Sequence, residues 1–102
     1  MANNRILKKV IGEVSEDLYL ESLFYYQYAP EESLEHIEEI ISKINAMQEE
    51  FLQRTNNVPG KANPKMVKSY YSVLKEDMNK SIQEITADLD ELNEKFINNA
   101  PK

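Results

Sequence analysis

Cysteine is absent from the 102-residue chain. Its absence excludes disulfides, thiolate metal sites, iron–sulfur clusters and cysteine nucleophiles, and fits a reducing compartment. Tryptophan is absent as well, and there are only two glycines. Two glycines leave no glycine-rich loop to cradle a phosphate. No apolar run is long enough to cross a bilayer, and the N-terminal residues lack the apolar stretch of a signal peptide. These absences predict a cytoplasmic protein. Cations are in the minority: the net charge is −6 and the pI near 4.8. That balance disfavours nucleic acid, whose binders neutralise phosphates, and an anionic membrane surface.

Glycine and proline punctuate the chain at only a few places, namely Gly12, Pro30, Pro59, Gly60, Pro64 and Pro101. Between them lie long segments of helix-forming composition. Residues 4–28 place Leu7, Val10, Ile11, Val14, Leu18 and Tyr25 at helical spacing. Gly12 interrupts that pattern and Ser15 offers a new N-cap. The segment therefore reads as one kinked helix, with two short helices as the alternative. A second helix starts at Pro30-Glu31-Glu32 and carries Leu34, Ile37, Ile41, Ile44, Phe51 and Thr55, with Ile40 and Met47 widening the stripe. Asn56 to Gly60 ends it, Pro-Gly being a strong turn signal. The third begins at Asn63-Pro64 as N-cap and first helical residue. Its stripe runs Val67, Tyr71, Leu74, Met78, Ile82, Ile85, Leu89, Leu92 and Phe96.

Short connections make neighbouring helices antiparallel. The expected fold is all-α, one domain over residues 1–102: an up-down-up bundle of three long helices, or four if the first breaks near Gly12. Ile37, Ile41, Ile44, Phe51, Leu74, Met78, Ile82 and Ile85 are the expected core. The third helix is longer than the others by roughly ten residues, or about 15 Å. Its narrow seam at Leu89, Leu92 and Phe96 is therefore a candidate for antiparallel pairing in a homodimer.

Few residues point to chemistry. His36 is the sole histidine and has Glu32 and Glu39 on its own helix face. That spacing matches neither His-Glu-x-x-His nor the Glu-x-x-His pairs of di-iron bundles. A solvated histidine on an acidic helix is the plainer reading, and no metal, cofactor or catalytic residue is assigned.

Aromatic residues are more informative. Tyr19, Phe24, Tyr25, Tyr26 and Tyr28 are five of the nine, within ten positions. With Leu18, Leu20 and Leu23 they make the stretch apolar nearly all round. Such a helix is either enclosed or part core and part interface. Closure of one end of the bundle competes with a partner-binding patch formed by Tyr19, Leu23, Phe24, Tyr26 and Tyr28.

Charge is segregated too. Residues 31–39 hold five glutamates, among them Glu32, Glu35 and Glu39, which are candidate partner contacts. Between Phe51 and Lys75 there is no acid, but Arg54, Lys61, Lys65 and Lys68 are present. The sequence thus favours a non-enzymatic protein acting on a protein partner, as an adaptor, regulator or immunity-type inhibitor. One alternative is nucleic-acid binding at the Arg54–Lys75 end with Tyr70 or Tyr71 stacking. Another is a small metal-binding or enzymatic bundle around His36.

Overall fold

The computed structural model describes residues 3–60 and 63–99, and every described element is helical: α1 (Asn3–Tyr28), α2 (Glu31–Asn56) and α3 (Pro64–Asn99). The boundaries follow from local chemistry. Pro30, in extended backbone at φ −63° and ψ 154°, separates α1 from α2, and its carbonyl accepts the Ser33 amide at 2.9 Å. Glu31 and Glu32 then complement the positive end of the α2 dipole, and Arg54 its negative end. The Asn57 side chain caps the last turn by donating to the Gln53 carbonyl at 2.9 Å. Gly60 has a φ of +67°, and a Cβ there would stand 2.6 Å from Met66 Sδ. Torsion and space both demand glycine at that turn. Asn63 Oδ1 accepts the amides of Lys65 (3.1 Å) and Met66 (3.3 Å), so Asn63 caps α3 as its sequence predicts.

The three helices form an up-down-up bundle measuring 60 × 19 × 16 Å. Side-chain pairs fix the register. Lys43 bridges to Asp88 at 2.8 Å and Arg54 to Asp77 at 2.9 Å, so eleven residues forward on α2 correspond to eleven back on α3. Helix α1 runs parallel to α3. Tyr25, near its end, donates to Asn93 Oδ1 at 2.9 Å, and Leu7, near its start, shares a groove with Tyr71 and Met78.

Helix α1 is unbroken at Gly12, so the four-helix alternative is set aside. A single glycine costs only about 1 kcal/mol in a helix interior, less than the packing of a long amphipathic face returns.

The core is built from Leu7, Ile11, Leu18 and Tyr25 of α1, Ile37, Ile40, Ile44, Met47 and Phe51 of α2, and Leu74, Met78, Ile85, Leu89 and Leu92 of α3. Two expectations shift here. Ile41 and Ile82 are only partly buried, whereas Ile40 and Met47 lie inside. On α1, Val10 is exposed while Ser15 and Ser22 are buried. The real seam of α1 against α2 is therefore lined in part by small hydroxyl residues. Ser22 satisfies its hydroxyl by donating to the Leu18 carbonyl at 2.8 Å.

A larger correction concerns the far half of α3. Its Leu89 and Leu92 are 2% and 4% exposed within the single chain, so they are core residues and no open pairing seam. The side chain of Phe96 lies outside the described residues. The physical reason is axial offset. Thirteen residues of α3 precede Asp77, which meets α2 only two residues from that helix's end. The surplus length thus projects at the N-terminal end of α3, and the C-terminal half is flanked by both other helices. Val58, from the connection, is buried as well.

Candidate functional site

The aromatic stretch of α1 divides by helical phase. Leu18, Ser22 and Tyr25 point inward. The Tyr25 ring is buried, and loss of solvation first, with Glu21 and Asp90 nearby, pushes its phenol above the ordinary range. Leu20, Phe24 and Tyr28 follow the opposite phase, at i, i+4 and i+8, and are 55%, 52% and 61% exposed. Phe24 and Tyr28 pack their rings at 5.1 Å, and Phe24 meets the edge of Tyr25 at 5.6 Å. The outward rings are thus held by the inward one. Tyr19 and Tyr26 are exposed on the side facing α2, and Leu23 between them is half-buried. The five sequence-predicted aromatic and leucine contacts therefore split into two groups: Tyr19, Leu23 and Tyr26 lie toward α2, and Phe24 and Tyr28 lie on the other exposed side of α1. Leu20 belongs with the second group and was not among the predicted contacts. Its signal was its spacing of four and eight from Phe24 and Tyr28.

One glutamate of α2 borders the stretch on its α2 side. The Tyr26 hydroxyl reaches Glu38 Oε1 at 3.4 Å, placing the first half of α2 beside it. Glu32, Glu35 and Glu39 are all exposed on α2, on the face turned away from Ile37, Ile40 and Ile44.

The other candidates are occupied by structural work. Arg54 pairs with Asp77 at 2.9 Å and Glu50 at 3.4 Å, and its guanidinium lies 5.2 Å from the Phe51 ring centre. Burial alone would lower its pKa, but the hydrogen bond to Asp77 and its neighbours outweigh that and raise it. Tyr70 donates to the Arg54 carbonyl at 3.0 Å, and Tyr70 and Tyr71 pack edge to face at 6.2 Å against the core. Both rings are partly buried, and Tyr71 also lines the groove beside Ile6 and Val10. Lys61 lies outside the described residues, and Lys65, Lys68 and Lys75 are exposed.

His36 is half-exposed, with Nδ1 3.9 Å from Glu39. Its Nε2 is covered without a hydrogen-bond partner. Among the described residues no three histidine or carboxylate side chains gather as a metal site, and no helix is long and apolar enough to cross a membrane.

Helix α3 carries its charges against its own dipole, and its neighbours account for part of this. Asp88 is held by Lys43, whose pKa that hydrogen bond raises, and Asp77 by Arg54.

An open groove of about 610 Å³ runs between α1 and α2 beside Gly12, with Ser15, Tyr19, Asn45 and Gln48 on its walls. The Ser15 hydroxyl is buried there without a hydrogen-bond partner. Lysines and glutamates are mixed around its mouth, so it has no net charge preference.

No protein-family model matches the chain, and neither does any curated protein sequence or solved structure.

Proposed function

We propose that this protein is a non-enzymatic binding module that docks a protein partner, as an adaptor, regulator or inhibitor, on the outward face of α1 near its C-terminus. One observation carries the reading: Leu20, Phe24 and Tyr28 form a continuous row with more than half of each side chain in water. Exposed large apolar residues occurring singly need no explanation, but a contiguous row does. Aromatic residues also concentrate the energy of protein interfaces. The exposed glutamates of α2 give the molecule an acidic side, whose field speeds the arrival of a basic partner.

The test is affinity capture from the source cells with the full chain and two variants. Phe24→Glu/Tyr28→Glu is expected to release the partner, with about a tenfold or greater loss of recovery. Lys65→Glu/Lys68→Glu, on the projecting end of α3, is expected to leave recovery unchanged. Denaturation midpoints should stay near that of the parent in both. A bound protein whose recovery ignores the aromatic change, or follows the lysine change instead, overturns the reading.

A further inference from the structure

The exposed row does not stop at Leu20. Stepping back along α1, Ile6 and Val10 are also exposed, on the same side as Phe24 and Tyr28. Between the two apolar ends the same line passes through Glu13 and Asp17, both exposed. From Ile6 to Tyr28 the steps are four, three, four, three, four and four. This is the alternation of a coiled-coil seam, and it lies to one side of the core line through Leu7, Ile11, Leu18 and Tyr25, with Ile6 and Val10 lining a groove against Tyr71 and Lys75 of α3. The line is about 33 Å long at 1.5 Å per residue. Helix α1 therefore carries two lines, one consumed by the bundle and one exposed to solvent, the latter bordered by α3 at its Ile6–Val10 end.

Charge decides what fits the open seam. Glu16 and Glu21 flank Glu13 and Asp17, and both are exposed. Lys9 stands 4.0 Å from Glu13 with both side chains mostly in water, and Lys75 of α3 lines the groove beside Ile6 and Val10, at one apolar end. The centre of the seam is thus acidic between apolar ends. Parallel pairing with a second copy of this chain would set Glu13 and Asp17 against their own equivalents, and antiparallel pairing centred on the seam would set Asp17 against itself and Glu13 against Glu21. Like charges at facing positions oppose pairing. A helix with lysine or arginine at its centre would instead place opposite charges across the seam while its apolar ends cover Ile6, Val10, Phe24 and Tyr28.

We infer that the open seam of α1 takes an amphipathic helix of a different protein, apolar at both ends and basic in the middle. The inference rests on the docking face proposed above and extends it to the whole length of α1.

Two synthetic helical peptides of about four heptads test it against the full chain. Both carry leucine at the seam positions of their ends. One has lysine at the central seam positions and the other glutamate. Fluorescence anisotropy is expected to show the lysine peptide binding about tenfold more tightly, with the preference shrinking as salt is raised. Glu13→Lys/Asp17→Lys is expected to reverse the preference in favour of the glutamate peptide. Phe24→Glu is expected to abolish binding of both. Far-UV circular dichroism confirms that the variants remain folded, since all three positions face away from the core. Equal binding of both peptides, lost in Phe24→Glu, would overturn the basic-centre inference and leave the docking face standing. Binding of neither, or binding indifferent to Phe24→Glu, overturns the inference and counts against the docking face as well. A dimer of the unmodified chain in sedimentation equilibrium, dissociated by Phe24→Glu, would show that a second copy occupies the seam and would equally overturn it.

Discussion

Two triads on the same eleven residues of α1 look alike in composition and behave as opposites. Leu18, Ser22 and Tyr25 lie in the core, and Leu20, Phe24 and Tyr28 lie in water. The outward triad is the more hydrophobic of the two, since it has a phenylalanine where the inward one has a serine. Hydrophobicity alone would have ranked them the wrong way round. What separates them is phase: Leu18 and Tyr25 continue the line begun by Leu7 and Ile11, and Leu20 and Phe24 do not. A face is buried because the whole helix presents it, and local richness in apolar side chains is a separate signal that points outward, to a partner.

The sharpest way to break this comparison is to truncate one member of each triad. Tyr25→Ala removes a buried ring and leaves Asn93 without its 2.9 Å donor. It is expected to cost about 3–5 kcal/mol, the range for losing a large aromatic from a core. Phe24→Ala is expected to stay within about 0.5 kcal/mol of the parent, as surface changes usually do. Urea denaturation of both variants measures the difference. Comparable losses would mean that the outward row is enclosed in solution and is not a free surface.

Much of the fold was legible, because much of it is local. Pro30, the Pro59-Gly60 pair and Asn63-Pro64 mark the helix boundaries through torsions and caps that depend on a few neighbouring residues. Rotation of a helix about its axis was legible only to within a residue. On α2 the stripe read through Ile41, and the buried line runs through Ile37, Ile40, Ile44, Met47 and Phe51. Adjacent isoleucines give a pattern no means of choosing between them. Ser15 and Ser22 were missed because a search for apolar periodicity passes over small polar residues at a close helix–helix seam. Axial offset was not legible at all. Helix lengths predicted an overhang, but not which end projects: the Arg54–Asp77 pair puts it at the start of α3, and Leu89 and Leu92 lie in the core. For the candidate site, composition located the aromatic stretch and the stripe through Leu18 already carried Tyr25, and only the bundle showed that Leu20 belongs to the exposed row.

The α2 register supports a second, smaller contrast. Ile40→Ala is expected to cost about 2–5 kcal/mol, since the residue is fully buried and its removal leaves a cavity. Ile41→Ala, at a partly buried position, is expected to cost about half as much, because neighbouring water and side chains relax into the gap. Denaturation midpoints at matched slopes read both. A larger loss at Ile41 would turn α2 by one residue and would bring Glu38 and Tyr26 out of register.

The smallest contrast sets the first half of α1 against its second. The second half carries rings on both faces, and the first has Gly12 beside an open groove. Nothing lies within 4 Å of where a Cβ at Gly12 would sit, and its backbone is helical, so neither packing nor torsion requires glycine there. Gly60 is the opposite case, with positive φ and Met66 in the way. Gly12→Ala removes backbone freedom from the unfolded chain and adds a methyl group that meets no neighbour. It is expected to stabilise the protein by about 0.5–1 kcal/mol, while the same change at Gly60 destabilises it. Thermal denaturation of the two variants gives the signs directly. If Gly12→Ala destabilises instead, α1 and α2 approach each other more closely at Gly12 than the groove allows. The unpartnered Ser15 hydroxyl one turn away would then be the place to look for the closing contact.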